Sequence, residues 1–177
     1  KALRDPLDVF LVQKIGVPGR EELAMGAITS GGARVLNEDI VSRLNISEED
    51  IESVEKQEQE EIRRREKEYR GTGTKGLELK NKTVILVDDG LATGASMRAA
   101  VKGVREMSPK EIVVAVPAAA RDAEASLAET ADKVITVISP DMFMSVGSWY
   151  KDFDQTTDTE VKEILSQAKN SGGNNNE

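Results

Sequence analysis

Val84-Ile85-Leu86-Val87-Asp88-Asp89-Gly90-Leu91-Ala92-Thr93-Gly94-Ala95-Ser96 runs four apolar residues into two adjacent carboxylates, then into a loop that opens a helix. A short, continuous apolar run bounded by turn residues reads as a buried strand of a parallel sheet. Its carboxyl end is where open α/β folds bind ligands. Free N–H groups at the helix start, the Thr93 and Ser96 hydroxyls, and a glycine permitting close approach make an anion site suited to a phosphate. Carboxylates beside a phosphate cradle fit a sugar phosphate, because they accept hydrogen bonds from vicinal hydroxyls. A plain turn and helix start is the rival reading.

Other acidic or phosphate-binding patterns fit less well. Receiver domains need an Asp and a Lys ending later strands, but those strands end in Val116-Pro117 and Ile138-Ser139. Dehalogenase-type phosphatases need Asp-x-Asp, and the second position here is Gly90. The Walker Gly-Lys-Thr/Ser is absent as well.

Working outward, strand and helix alternate downstream. Strands are predicted over 83–87, 111–116 and 133–138, with helices over 95–107 and 122–130. Met97, Ala100, Val101 and Val104 share one face of the first helix. This alternation predicts a parallel sheet covered on both faces. Thr157-Asp158-Thr159-Glu160 is a capping box, whose helix is expected to bury Val161, Ile164, Leu165 and Ala168. Residues 170–177 read as a disordered, low-complexity tail.

Upstream, Asp8 to Gln13 reads as a buried strand ending in a loop over Lys14–Arg20, marked by two glycines and a proline. Leu23 to Thr29 and Ala33 to Leu36 flank Gly31-Gly32, a hairpin signal in which glycine supplies positive φ. Ser47-Glu48-Glu49-Asp50 starts a helix predicted over 48–70, carrying ten acids and six bases. Glu52–Lys56, Glu60–Arg64, Glu61–Arg65 and Glu66–Arg70 have the spacing of i,i+4 ion pairs. Its apolar stripe, Ile51, Val54 and Ile62, is thin, which predicts a solvated helix lying over the domain, with a partner-binding arm as the alternative. Residues 71–76 read as a flexible link.

The 177 residues suffice for one α/β domain. With 24 Lys plus Arg against 32 Asp plus Glu, the net charge of −8 argues against a nucleic-acid partner. There is no Cys and no His. Disulfides, thiol nucleophiles, zinc sites built on those ligands and imidazole acid–base schemes are therefore excluded. No apolar run approaches a membrane span, and no signal peptide opens the sequence, so a cytoplasmic protein is expected, without a membrane partner.

Four apolar residues, Asp-Asp, then Thr-Gly-x-Ser resembles the phosphoribosyl pyrophosphate (PRPP) motif of type I phosphoribosyltransferases. Lys14-Ile15-Gly16-Val17-Pro18-Gly19, Glu22-Leu23-Ala24-Met25-Gly26-Ala27-Ile28 and Val146-Gly147-Ser148-Trp149-Tyr150-Lys151-Asp152-Phe153 resemble its bacterial and archaeal branch of unassigned substrate. The resemblance covers about residues 3–169. It implies an α/β fold: a parallel sheet of the type I phosphoribosyltransferase kind, with a hairpin and charged helix inserted over about 17–76.

The resemblance further implies that Asp88 and Asp89 hold the ribose hydroxyls. The 5′-phosphate falls on the loop Gly90, Leu91, Ala92, Thr93, Gly94, Ala95 and Ser96, with the Thr93 and Ser96 hydroxyls and the Gly94 and Ala95 N–H groups as donors. Mg²⁺ is the implied cofactor, held through PRPP and by Asp88 and Asp89. Lys14 and Arg20 become candidate pyrophosphate contacts, with a solvated loop charge as the alternative for each. Phe143 and Trp149 become candidate platforms for a base-like acceptor, with packing at the sheet edge as the alternative. Ala92 stands where 6-oxopurine transferases carry a proton-handling Asp, which points away from hypoxanthine or guanine. The expected activity is transfer of phosphoribosyl from PRPP to a nitrogenous acceptor. The alternative is a regulatory module that senses PRPP or a nucleotide without turnover. A second copy of the chain is a candidate partner. Members of the fold begin with a strand and a pyrophosphate-binding loop, and nothing before Asp8 supplies them, so both are expected to be missing from these residues.

Overall fold

Residues 5–71 and 77–172 are described by a computed structural model, and their strands form two three-stranded sheets. The first is antiparallel, in the order β1 (Val12–Val17), β2 (Arg20–Thr29), β3 (Arg34–Leu36). Here the sequence reading needs correcting. The first strand starts at Val12 rather than Asp8, runs through the expected Lys14–Val17 loop, and pairs antiparallel with β2. The loop signals mark an irregular strand end and a tight turn: the register shifts on both sides of Gly16, and Pro18-Gly19 turns the chain back at Gly19 φ +73°. The antiparallel unit thus begins before residue 17. The second turn is as expected, with Gly32 at φ +81°.

Helix α1 (Glu38–Leu44) was not anticipated, although its ends are legible. Asn37 accepts the Ile40 N–H through its side chain, and Asn45 closes the helix at φ +50°. Helix α2 (Glu48–Arg70) is capped by Ser47, whose hydroxyl oxygen accepts the Asp50 N–H at 3.1 Å. It buries Ile51 and Ile62 against Ile15, Val17, Met25 and Ile28. Each buried isoleucine contributes about 1.5–3 kcal/mol, so a thin stripe is enough to dock a mostly polar helix. Of the four ion pairs expected on its surface, Glu61–Arg65 and Glu66–Arg70 form. Arg64 turns instead to Glu61 and Glu68.

The second sheet is parallel, in the order β4 (Thr83–Val87), β5 (Glu111–Ala118), β6 (Lys133–Ile138). Helices α3 (Ala95–Glu106) and α4 (Arg121–Ala128) make the crossovers. Leu86, Ile112, Val114 and Val116 pack on Met97, Val101, Val104 and Leu127 to form the main core. Gly103 lets α3 approach the antiparallel sheet, since a Cβ there would collide with Thr29 Oγ1.

The expectation of a sheet covered on both faces fails among the described residues. Val87 is 72% and Val137 80% exposed, and Ile85 and Ile135 on the same face are also exposed. Handedness gives the reason. Two right-handed crossovers stepping in one direction leave both helices on the same side of the sheet.

Helix α5 (Asp158–Gly172) starts at the expected capping box, where Thr157 and Glu160 satisfy each other's N–H groups. It buries Leu165, with Val161 and Ala168 half-buried, but Ile164 is 50% exposed, contrary to expectation. The helix runs three residues into the expected tail. Residues 173–177 and most of the expected 71–76 link lie outside the described residues. None of the described helices is long and apolar enough to cross a membrane.

Candidate functional site

Strand β4 ends by presenting Asp88 and Asp89 at the carboxyl edge of the parallel sheet. The Asp88 carboxylate accepts the Asp89 N–H at 3.0 Å. Partial burial of the carboxyl, reinforced by the Asp89 charge, raises the Asp88 pKa above its ordinary value, although the Asp89 N–H pulls the other way.

The next residues are stitched across the end of β5. Leu91, 2% exposed, donates its N–H to the Ala118 carbonyl at 2.9 Å and accepts the Ala120 N–H at 2.8 Å. These bonds fix where the chain leaves for α3. Gly94 stands at the helix N-cap with φ +68°, a left-handed conformation that costs glycine little. No side chain caps α3, and its first turn holds no acid. The positive end of the helix dipole is therefore not offset by a carboxylate. Thr93 and Ser96 are exposed beside it. The Ala95 N–H already reaches Thr93 Oγ1, at a long 3.4 Å. This arrangement can receive a phosphate at the helix start and hydroxyl groups at the carboxylates.

A second segment, Pro140–Phe153, leans on the acidic turn. The Tyr150 hydroxyl donates to the Asp89 carbonyl at 2.6 Å. Gly90 faces Val146 so closely that a Cβ would lie 2.8 Å from Val146 Cγ1. Phe143 and Trp149 stack, with ring centroids 6.4 Å apart and planes 24° from parallel. Tyr150 and Phe153 lie 5.1 Å apart. The structure thus brings the two aromatic candidates together on a segment joined to the carboxylate turn.

Lys14 and Arg20 lie on the antiparallel sheet. Both are exposed, Lys14 within β1 and Arg20 at the start of β2, and neither bonds to residues 88–96 among the described residues. For a metal, the suitable donors are the Asp88 and Asp89 oxygens. No group of three or more His, Cys, Asp or Glu capable of holding an ion occurs among the described residues. Two carboxylates suit Mg²⁺, which is commonly held by one or two acids and completed by substrate phosphates.

Sequence reasoning missed Arg98 beside the helix start, and it missed Tyr150 as the residue that ties the aromatic segment to the acidic turn. The Arg98 guanidinium folds back from the first turn of α3 and donates to the Thr93 carbonyl at 2.8 Å. A base in a first turn, where the dipole favours acids, was the available signal. For Tyr150 the signal was clustering: four of the chain's six aromatic residues lie within 143–153.

Comparison with known proteins bears on this geometry. Residues 13–154 match the family model described as a phosphoribosyl transferase domain. Proteins of two Mycobacterium tuberculosis strains, CDC 1551 and H37Rv, each carry the description "Putative phosphoribosyl transferase". Each is 39% identical over 168 residues, covering 95% of this chain but only 38% of the relative's length. The crystal structure of TT1426 from Thermus thermophilus superposes with a TM-score of 0.77 at 38% identity, covering 94% of this chain and 78% of that one.

Proposed function

The chain belongs to the phosphoribosyl transferase family, and from that premise we propose that it moves the 5-phosphoribosyl group of PRPP to a nitrogenous acceptor, releasing pyrophosphate. One observation carries the reading. The paired carboxylates of Asp88 and Asp89 lead within a few residues into a helix start that no side chain caps. That spacing suits the hydroxyls and the 5′-phosphate of one ribose phosphate.

In this reading Asp88 and Asp89 accept hydrogen bonds from the ribose 2′ and 3′ hydroxyls. The loop from Gly90 to Ser96 receives the 5′-phosphate through the Thr93 and Ser96 hydroxyls and the backbone N–H groups at the start of α3. The bond from C1 to the pyrophosphate oxygen breaks, and its electron pair leaves with pyrophosphate. The acceptor nitrogen's lone pair then forms the new bond to C1, and the proton that nitrogen carried leaves to the departing pyrophosphate or to solvent. Positive charge builds on the ribose between these events, and the two carboxylates stabilise it electrostatically. Phe143 and Trp149 offer a ring surface for the acceptor. Mg²⁺, held by Asp88, Asp89 and substrate oxygens, would neutralise the leaving group. Lys14 and Arg20, on the antiparallel sheet, stay as candidate contacts for the pyrophosphate.

The test is pyrophosphate release from PRPP with a panel of purine and pyrimidine bases. The expected result is release with at least one base, falling by about 10²-fold or more in Asp88→Asn/Asp89→Asn. Calorimetric binding of PRPP without turnover would assign a sensing role instead. Failure to bind either PRPP or any nucleoside monophosphate would overturn both readings.

A further inference from the structure

Asp89 is held on both sides of its backbone. Its N–H is taken by the Asp88 carboxylate, and its carbonyl accepts the Tyr150 hydroxyl. Among the described residues, the Tyr150 bond is the only hydrogen bond between residues 140–153 and the 88–94 loop. Val146 of the same segment stands close over Gly90, where an added Cβ would lie 2.8 Å from its Cγ1. Its far end is tied to α4 instead, through the Arg121–Asp141 ion pair at 2.7 Å. Tyr150 directly follows Trp149, which stacks on Phe143.

We propose, resting on the phosphoribosyl-transfer reading, that Tyr150 is a positioning residue that latches the aromatic pair to the carboxylate turn, so the ring site and the ribose site fill cooperatively. The physical step is short. Ribose hydroxyls arriving at Asp88 compete with the Asp89 N–H for the carboxylate oxygen. The Asp89 backbone, freed at its N–H, then readjusts at the residue's own torsions, the tyrosine hydroxyl follows its carbonyl acceptor, and Trp149 moves with it. By linkage, a ring settling on Phe143 and Trp149 reports back to the carboxylates by the same factor.

The sequence supplies its own reporter, since Trp149 is the only tryptophan. Ribose 5-phosphate, which carries the phosphate and hydroxyls but no ring, is titrated by calorimetry and by Trp149 emission. In the unaltered chain, binding is expected to change the emission. Tyr150→Phe keeps the ring packing against Phe153 and is expected to bind ribose 5-phosphate within about threefold of the parent, with the emission change lost. Val146→Ala, which trims the apolar contact and leaves the latch, is expected to keep the change. The gain in affinity of adenosine, guanosine, cytidine or uridine monophosphate over ribose 5-phosphate should also shrink towards unity in Tyr150→Phe alone.

An emission change that survives in Tyr150→Phe, or is lost in Val146→Ala, would overturn the latch while leaving phosphoribosyl transfer standing. So would ribose 5-phosphate binding in the parent with no emission change. Absence of any calorimetric binding of ribose 5-phosphate and PRPP to the parent would instead sink the phosphoribosyl reading, and the latch with it.

Discussion

Gly90 and Val146 meet where a side chain on the glycine would have no room. A Cβ on Gly90 would stand 2.8 Å from Val146 Cγ1 and 2.9 Å from the Ala118 carbonyl oxygen. The valine could give way, but the carbonyl belongs to β5 and also accepts the Leu91 N–H. Gly90→Ala should therefore cost about 1–3 kcal/mol by overpacking and push the acidic turn off the sheet edge. Thermal melting and ribose 5-phosphate calorimetry check both effects. Gly31→Ala is the control, because its Cβ would find ordinary contact with Met107 at 3.5 Å. Its melting midpoint should hold or rise slightly as the unfolded chain loses entropy.

Asp88 gives a pH-dependent prediction of defined sign. Its folded pKa is raised above the ordinary 3.8, so the ionised carboxylate opposes folding, fully so once the pH exceeds the folded value. As pH falls towards 3.8 the group protonates in the fold first, and the penalty disappears. Asp88→Asn should accordingly melt above the parent at pH 7 in metal-free buffer, with the gap closing as the pH approaches 4. The same substitution should weaken PRPP binding. A fold stabilised by the change that disables its site is the trade-off expected of a functional carboxylate.

The parallel half of the fold and the acidic turn were legible because their signals are local. Residues 83–87 and 133–138 are short, largely apolar runs between turn residues, and the Asp-Asp to Thr-Gly-x-Ser spacing places acids and helix start on one edge. The antiparallel half was misread at Gly16 and Pro18-Gly19, since a bulged strand end and a two-residue turn use the same residues as a loop. Strand pairing is a long-range choice that Asp8–Gln13 does not encode by itself. Aromatic clustering marks Tyr150, but its partner is not local: the acceptor lies 61 residues away.

Arg70 joins the end of α2 to the chain leading into β1. Its side chain is 6% exposed and donates to Asp8 at 2.8 Å, Glu66 at 2.9 Å and the Val9 carbonyl at 2.6 Å. Arg70→Lys supplies one ammonium where a planar fork served several acceptors. A loss of about 1–3 kcal/mol is expected from the acceptors left unpaired, read as a lower urea midpoint.

The open face of the parallel sheet predicts tolerance where a buried strand would show none. Val137 is 80% exposed, whereas Leu127 on the covered side is fully buried. In the 177-residue chain, Val137→Thr should alter stability by less than about 0.5 kcal/mol. Leu127→Ala should cost about 2–5 kcal/mol. Denaturant unfolding of the two variants decides the contrast. A hydrophobic dye that binds the parent should also bind Val137→Thr less well, because part of its apolar patch is gone.

Arg98 is the last residue on which the site reading makes a distinct demand. Its guanidinium, tied by one N–H to the Thr93 carbonyl, adds a full charge beside the uncapped start of α3. That charge opposes the helix dipole, a cost of about 0.3–1 kcal/mol at an exposed position. The hydrogen bond to Thr93 returns about as much. Arg98→Gln should thus leave the melting midpoint nearly unchanged. A phosphate at the helix start would lose a nearby cation, so ribose 5-phosphate affinity should fall about three- to tenfold, the scale of about 1 kcal/mol at an exposed charge. Because the lost attraction is electrostatic, added salt should weaken binding less in Arg98→Gln than in the parent. Equal salt slopes in the two proteins would place the phosphate away from α3.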